Sequence, residues 1–139
     1  MRVLLDTNIL LDFLLERQPF FTDADAVMQT IRSGQVQGYI TATTLTDIFY
    51  IAKKSKKAQI AKQYVSDLLT TMQVCTVDRS ILEAAISSSL PDFEDAVQLA
   101  CAISENLNAI ITRDFKGFAG ATVAILSASE FVSRLSSNS

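Results

Sequence analysis

The sequence predicts an α/β protein, a three-layer α/β/α sandwich built on a central parallel sheet of about five strands. Short apolar runs alternate with longer segments of helical periodicity, the pattern of parallel strands covered by helices on both faces. A length of 139 residues suits one domain, and 49% hydrophobic with 19% charged residues is typical of a globular chain. We therefore expect a single core with helices on both sides of one sheet.

In chain order, each predicted strand is a short apolar run followed by one or more amphipathic segments. The strands are expected at 3–6, 38–41, 73–77, 109–112 and 122–126. The helices are expected at 9–16, 22–33, 43–54, 56–72, 79–88, 94–106 and 129–135. Parallel sheets bind ligands beyond the carboxyl ends of their strands, so acids at those ends are the first candidates for a site.

The domain is expected to span 1–135, followed by a disordered Ser-rich tail at 136–139. The first apolar run is too short for a secretory signal core or a membrane span, and a cytoplasmic location is expected. Cys75 and Cys101 lie far apart in a chain without His, which favours buried thiols over a disulfide or a zinc site.

The absence of His excludes several kinds of active site. Ser-His-Asp triads, Cys-His pairs, His-ligated zinc and His general bases all require that side chain. Fifteen acids remain, and carboxylate sites without nitrogen or thiolate ligands select hard cations such as Mg²⁺ or Mn²⁺. The placement of the acids therefore decides the functional prediction.

Two acids follow predicted strands. Asp6 closes the first strand, and Asp114 comes directly after the fourth. The alternative for Asp6 is capping of the next helix, and for Asp114 a surface turn near Gly117 and Gly120. Because acids recur at two strand ends of one sheet, a shared site is the favoured interpretation.

Other acids come from predicted helices. Asp47 lies four residues before Ile51, so its carboxylate shares a face with apolar side chains, where a lone charge is costly. An Asp at the boundary of that face, reaching water, is the alternative. Helix capping explains Asp92 and Glu94, whereas Asp95 falls at the edge of the buried face and is assigned to the site.

These motifs together resemble the PIN domain family. Asp-Thr-Asn after the first strand, a mid-chain helical acid, Asp-Phe-Glu-Asp-Ala and Ile-Thr-Arg-Asp occur in that family's order between residues 4 and 114. The resemblance, to VapC-like members in particular, implies cleavage of RNA with Mg²⁺ or Mn²⁺ held by three or four acids. It makes Asp6, Asp95 and Asp114 the expected metal ligands and Asp47 the remaining catalytic acid.

The chain departs from the family pattern at Asp47, where the family most often has Glu. The carboxylate is one methylene shorter here, so contact with the metal through water is the alternative to direct contact. Asn8 and Thr112 match polar positions that in the family help to hold the metal site. Together with Asp92, they are expected to orient the metal ligands by hydrogen bonding without contacting the metal themselves.

Substrate binding is harder to predict, because a net charge of -3 opposes long-range attraction to RNA. Arg113 and Lys116 flank Asp114 and are the expected contacts to the scissile phosphate. Four of the twelve basic residues fall within 53–57. This cluster is either a phosphate-binding surface or a solvated helix end whose Lys side chains complement the helix dipole.

VapC-like proteins are generally toxins held inactive by a small antitoxin, and they commonly form dimers, so the resemblance implies an antitoxin partner and a homodimer. A PIN-like module that binds RNA or protein without turnover is the alternative, and the shorter Asp47 permits it. Two further classes fit poorly. A response-regulator receiver needs a Lys after its last strand, but none follows Lys116; a haloacid-dehalogenase-like phosphatase needs an acid where Asn8 stands.

Overall fold

A computed structural model describes residues 1–137 and shows strands and helices alternating along the chain. The strands are β1 (Arg2–Leu5), β2 (Gln37–Thr41), β3 (Gln73–Cys75), β4 (Ala109–Ile111) and β5 (Ala124–Leu126). The helices are α1 (Thr7–Leu14), α2 (Phe21–Arg32), α3 (Ala42–Lys53), α4 (Ala58–Thr71), α5 (Arg79–Ile86), α6 (Phe93–Ser104) and α7 (Ala128–Ser137).

The five strands form one parallel sheet in the order β3-β2-β1-β4-β5. In the central strand, Val3 lies opposite Gly38 of β2 on one side and Ala109 of β4 on the other. The chain builds the sheet outward from β1 in one direction and then returns to β1's other edge. The order therefore reverses between β1 and β4, which is where such sheets open a crevice for ligands.

Each face of the sheet carries its own core because strand side chains alternate in direction. Val3 and Leu5 pack into one cluster with buried side chains of α1, α2, α3, α4 and α7. Leu4 and Ile110 pack into the other, with α5 and α6. The predicted three-layer α/β/α fold is thereby confirmed. Both cysteines are free and buried, as expected.

Several predicted boundaries are shifted by local hydrogen bonding. The first helix begins at Thr7 rather than residue 9, because Asp6 is extended and its carbonyl already accepts from the N–H of Ile9. The last helix passes the predicted domain end at 135, so residues 136 and 137 are helical instead of disordered. Residues 138–139 of the predicted tail lie outside the described part of the chain.

Within residues 1–137, no helix combines the length and the apolar character needed to cross a membrane. The longest helix, α4, has 14 residues, whereas a span takes about 20.

Shortening a core side chain in β4 should destabilise the fold far more than shortening an exposed one in α5. Ile110 is 0% exposed, so Ile110→Ala leaves a cavity and should lower the free energy of unfolding by about 2–5 kcal/mol. Ile86 is 74% exposed, and Ile86→Ala should change it by less than about 0.5 kcal/mol. Urea denaturation of both variants measures the difference; equal losses would contradict the assignment of the core.

Candidate active site

A cavity of about 370 Å³ opens at the carboxyl ends of β1 and β4 and is lined largely by acids. It brings together all four acids predicted to be catalytic, two of the predicted supporting residues and one acid that was assigned only to capping. The lining residues are Asp6, Thr7, Asn8, Asp47, Ile51, Asp92, Glu94, Asp95 and Asp114. Acids from two strand ends and two helices therefore converge, as the strand-end argument requires.

Asp6 is the most firmly held of these acids. It is 5% exposed, and its Oδ1 and Oδ2 accept hydrogen bonds from Gln98 Nε2 at 2.9 Å and Thr112 Oγ1 at 2.8 Å. Its own N–H donates to the carbonyl of Ile111. The carboxylate is thus fixed by α6 and by the segment that follows β4. Thr112 also accepts from the N–H of Asp114 at 2.9 Å, so one hydroxyl orients two acids.

Asp95 is buried at the start of α6, where its N–H donates to Asp92 Oδ1 at 3.0 Å. Asp92 is therefore the N-cap of the helix, as predicted. Burial is the main reason that the pKa of Asp95 rises to about 7, and the charges of Asp6, Asp92, Asp114 and Glu94 raise it further. In this arrangement the carboxyl group holds a proton well above the usual range for Asp.

Asp47 and Glu94 complete the carboxylate lining. Asp47 is half-buried on α3, as its predicted boundary position allows. Glu94 Oε1 accepts from Thr7 Oγ1 at 3.1 Å. Partial burial raises the pKa of Glu94, the hydrogen bond from Thr7 lowers it, and nearby carboxylates, that of Asp47 first, raise it again.

Gly117 leaves the space that two of the acids occupy. A Cβ atom at this position would lie 2.5 Å from Asp95 Oδ2 and closer still to the Oδ2 atom of Asp114. The Gly117 N–H donates to Asp114 Oδ1 at 2.9 Å. The glycine therefore both permits the approach of the two carboxylates and orients one of them.

The acids of the cavity lack cationic partners. The ion pairs found in residues 1–137 join Arg2, Arg17, Arg79 and Arg113 to Glu105, Asp12 and Glu83, none of which lines the cavity. Within residues 1–137, no three Asp, Glu or Cys side chains are already close enough together to enclose a cation. The cavity is a set of oxygen donors with uncompensated charge, which is the donor chemistry that Mg²⁺ and Mn²⁺ prefer.

The residues expected to bind substrate occupy different places. Lys116 lies beside the acids in an adjoining cavity of about 430 Å³ that Asp92, Asp95 and Asp114 also line. Arg113 instead turns away from the acids and donates to both carboxylate oxygens of Asp12, at 2.8 and 3.1 Å. It lines a separate cavity of about 280 Å³. Its guanidinium is thus committed to a structural ion pair.

Three residues of this region were missed by the sequence analysis. Asp12 interrupts an apolar stretch of α1 and is fully buried against Arg113. Gln98 lies three residues after Asp95 on α6 and is also fully buried, with its Oε1 unbonded within the described residues. That spacing puts it on the face of Asp95, so it was detectable. Glu94 was not, because adjacent helical residues normally diverge.

A five-stranded parallel sheet with a carboxylate-lined cavity at its switch point defines the chain as an α/β protein with an acidic site at the strand ends. The family model for the PIN domain matches residues 2–116, and the chain belongs to the PIN domain family. The motifs identified in the sequence therefore predicted the family correctly. Among curated proteins, no sequence matches the chain.

Solved structures share this fold. A chain of a toxin-antitoxin complex from Klebsiella pneumoniae is 26% identical, with a TM-score of 0.71, covering 91% of this chain and 97% of that one. VapBC-1 from nontypeable Haemophilus influenzae is 19% identical, with a TM-score of 0.67 and coverages of 93% and 99%. VapBC2 from Rickettsia felis, bound to a promoter DNA fragment, is 15% identical, with a TM-score of 0.64 and coverages of 91% and 98%.

Removing the arginine of the buried ion pair should destabilise the protein. Arg113→Met leaves the Asp12 carboxylate buried with only Arg17 at 3.9 Å, and should lower the free energy of unfolding by about 3 kcal/mol. Arg79→Met breaks an exposed pair with Glu83 and should cost less than about 1 kcal/mol. Chemical denaturation compares the two variants; a small effect of Arg113→Met would show that the Arg113–Asp12 pair does not stabilise the fold.

The raised pKa of Asp95 makes a specific prediction for the metal-free protein. Between pH 4 and 7 the folded state keeps a proton on Asp95 that the unfolded chain has released, so stability should fall as pH rises through this window. Asp95→Asn removes that term and should flatten the decline by on the order of 2–4 kcal/mol. Urea denaturation at pH 5 and pH 8 in EDTA tests this; the same pH slope in both proteins would refute it.

Proposed function

We propose that this chain is a metal-dependent endoribonuclease that hydrolyses RNA phosphodiester bonds and acts as the toxin of a toxin-antitoxin pair. The observation that carries the proposal is the convergence of uncompensated carboxylates from β1, α3, α6 and the segment after β4 in one cavity. Membership of the PIN domain family and the likeness to chains of toxin-antitoxin complexes support it.

Asp6, Asp95 and Asp114 would hold Mg²⁺ or Mn²⁺. Gln98 and Thr112 pre-orient the Asp6 carboxylate, so this ligand needs little reorientation, whereas the other acids must move closer to enclose a cation. Proton loss from Asp95 would accompany metal binding, which should make metal affinity rise with pH toward neutrality. A bound divalent cation supplies an activated water and neutralises charge on the phosphate.

Asp47 and Glu94 are the carboxylates left to position water or a second cation. Asp47 faces the cavity from α3 and Glu94 from the first turn of α6. Lys116 lies beside Asp95 and Asp114, where its ammonium group would contact a nonbridging phosphate oxygen. The resemblance to the PIN domain family implies products with 5′-phosphate and 3′-hydroxyl ends.

The proposed partners are RNA, a small antitoxin and a second copy of the chain. The antitoxin follows from the toxin-antitoxin complexes among the structural neighbours. The homodimer is supported by exposed apolar side chains on α5 and α6, where Leu82 and Ile103 are 39% and 51% exposed. A PIN-like module that binds RNA without cleaving it remains the alternative, and the departure at Asp47 is the feature that favours it.

Cleavage of end-labelled single-stranded RNA by the purified chain tests the function. Cleavage should require Mn²⁺ or Mg²⁺, stop in EDTA, and fall more than about 100-fold in Asp95→Asn, because loss of even the outer partners of metal ligands typically costs 10- to 100-fold. Asp67→Asn is the matched control, since Asp67 is an exposed acid on α4 and the charge change is the same. Product ends should be mapped.

The same preparations give a second measurement that is independent of cleavage. Mn²⁺ should raise the melting temperature of the wild type and of Asp67→Asn but not of Asp95→Asn, because only the latter loses a carboxylate of the cavity. RNA binding and a metal-induced shift without any cleavage would favour the binding module. Cleavage that persists in EDTA would overturn the metal-dependent mechanism.

A further inference from the structure

Positive charge is concentrated in one part of the chain. Residues 48–66 contain five of the twelve basic residues and none of the fifteen acidic ones, although the net charge of the chain is -3. In the structure this stretch forms the second half of α3, the turn after it and the first half of α4. The basic residues are Lys53, Lys54, Lys56, Lys57 and Lys62.

Most of this charge is unpaired. The lysines of 48–66 are all exposed, and among the residues described, the ion pairs involve only arginines. Lys53 alone contacts a ring, lying 6.0 Å from the centre of Phe49. One or two cations would suffice to complement the carboxyl end of α3. Five without acidic partners exceed that need and create a local positive field on an acidic protein.

The lysine surface continues directly from the carboxylate cavity. Asp47 and Ile51 line the cavity, and Lys54 follows Ile51 by three residues on the same face of α3. Seven residues separate Asp47 from Lys54, which is about 10 Å along the helix axis. An RNA strand with one phosphate in the cavity would therefore meet lysine side chains about two helical turns further along α3.

An exposed aromatic side chain lies between these groups. Tyr50 is 64% exposed, three residues after Asp47 and four before Lys54. Its ring packs edge-on against Phe49, with centroids 5.0 Å apart, which orients it without covering it. Tyr50 also borders an apolar groove of about 300 Å³ shared with Lys62 of α4. Aromatic rings interleaved with cations are the usual surface for single-stranded nucleic acid.

We infer that the surface formed by α3, the following turn and α4 binds single-stranded RNA, with the lysines on its phosphates and Tyr50 stacked on a base. This deepens the proposed function and rests on it for the cleavage step alone. Charge complementarity favours RNA over an apolar peptide, and the exposed Tyr50 ring beside the lysines favours a chain that carries bases over an acidic peptide. The strand would pass from this surface into the carboxylate cavity.

The test measures binding without catalysis. Fluorescence anisotropy of the full chain in EDTA, with labelled single-stranded RNA of about 16 nucleotides, is recorded over a range of salt concentrations. One variant removes three charges of the surface: Lys54→Gln, Lys56→Gln and Lys57→Gln. Its matched control removes three exposed charges elsewhere: Arg32→Gln, Arg79→Gln and Arg134→Gln.

The lysine variant should weaken binding and reduce the slope of log affinity against log salt by about 2, because each phosphate contact on a single strand contributes about 0.7. The arginine control should keep the wild-type slope. Tyr50→Leu should weaken binding about tenfold or more, whereas Tyr50→Phe should bind like the wild type because stacking needs only the ring.

Equal slopes for the lysine and arginine variants would overturn the inference, and so would wild-type RNA affinity in the lysine variant. Because the assay contains no metal, its outcome is separate from that of the cleavage experiment. RNA binding through this surface without cleavage would support the inference while refuting the nuclease. Cleavage by the wild type, with RNA binding unchanged in the lysine variant, would support the nuclease and refute the inference.

Discussion

The carboxylate of Asp6 is the interaction on which the arrangement of the site depends. It is buried at the end of the central strand, and its two oxygens accept from Thr112, in the segment after β4, and from Gln98 of α6. The same two parts of the chain supply Asp114 and Asp95. A buried carboxylate without donors would be costly, so the fold must keep these hydrogen bonds. The hydrogen bonds that satisfy the Asp6 carboxylate thereby fix how close α6 and the segment after β4 lie to the end of β1.

The chain treats its buried acids in two different ways. Asp12 is fully buried, but Arg113 donates to both of its oxygens, so its charge is neutralised within the fold. Asp95 is also buried, yet its electrostatic neighbours are other carboxylates, and its pKa rises accordingly. The first arrangement stabilises structure, whereas the second leaves an unfavourable cluster. Buried acids left without a cationic partner are typical of functional sites, and this contrast with Asp12 supports the proposed cation site.

The sequence predicted the fold from local pattern, and it predicted that four aspartates would meet from strand-end position together with the motif order of the PIN domain family. Apolar runs mark the strands, and an acid after a strand of a parallel sheet has few other places to lie than the shared edge. Side-chain contacts between residues far apart in the chain could not be predicted from the sequence pattern. Arg113 is adjacent to Asp114 in sequence, but its guanidinium is drawn to Asp12 a hundred residues away, also stacking 3.8 Å from the ring centre of Phe20. Adjacency along the chain does not determine which partner a long, flexible side chain selects.

The position of Glu94 bears on the one acid that departs from the family pattern, Asp47, where the family most often has Glu. Asp47 has one methylene fewer than Glu and faces the cavity from α3, while Glu94 enters from α6 and is tied to α1 by Thr7. Asp47 is the carboxylate that most raises the pKa of Glu94, so the two groups act on each other across the cavity. Asp47 therefore still contributes a carboxylate to the cavity, although its side chain on α3 is one methylene shorter than Glu. Glu94, which helix capping alone explains as a first-turn acid, adds a longer carboxylate side chain to the same cavity as a further oxygen donor.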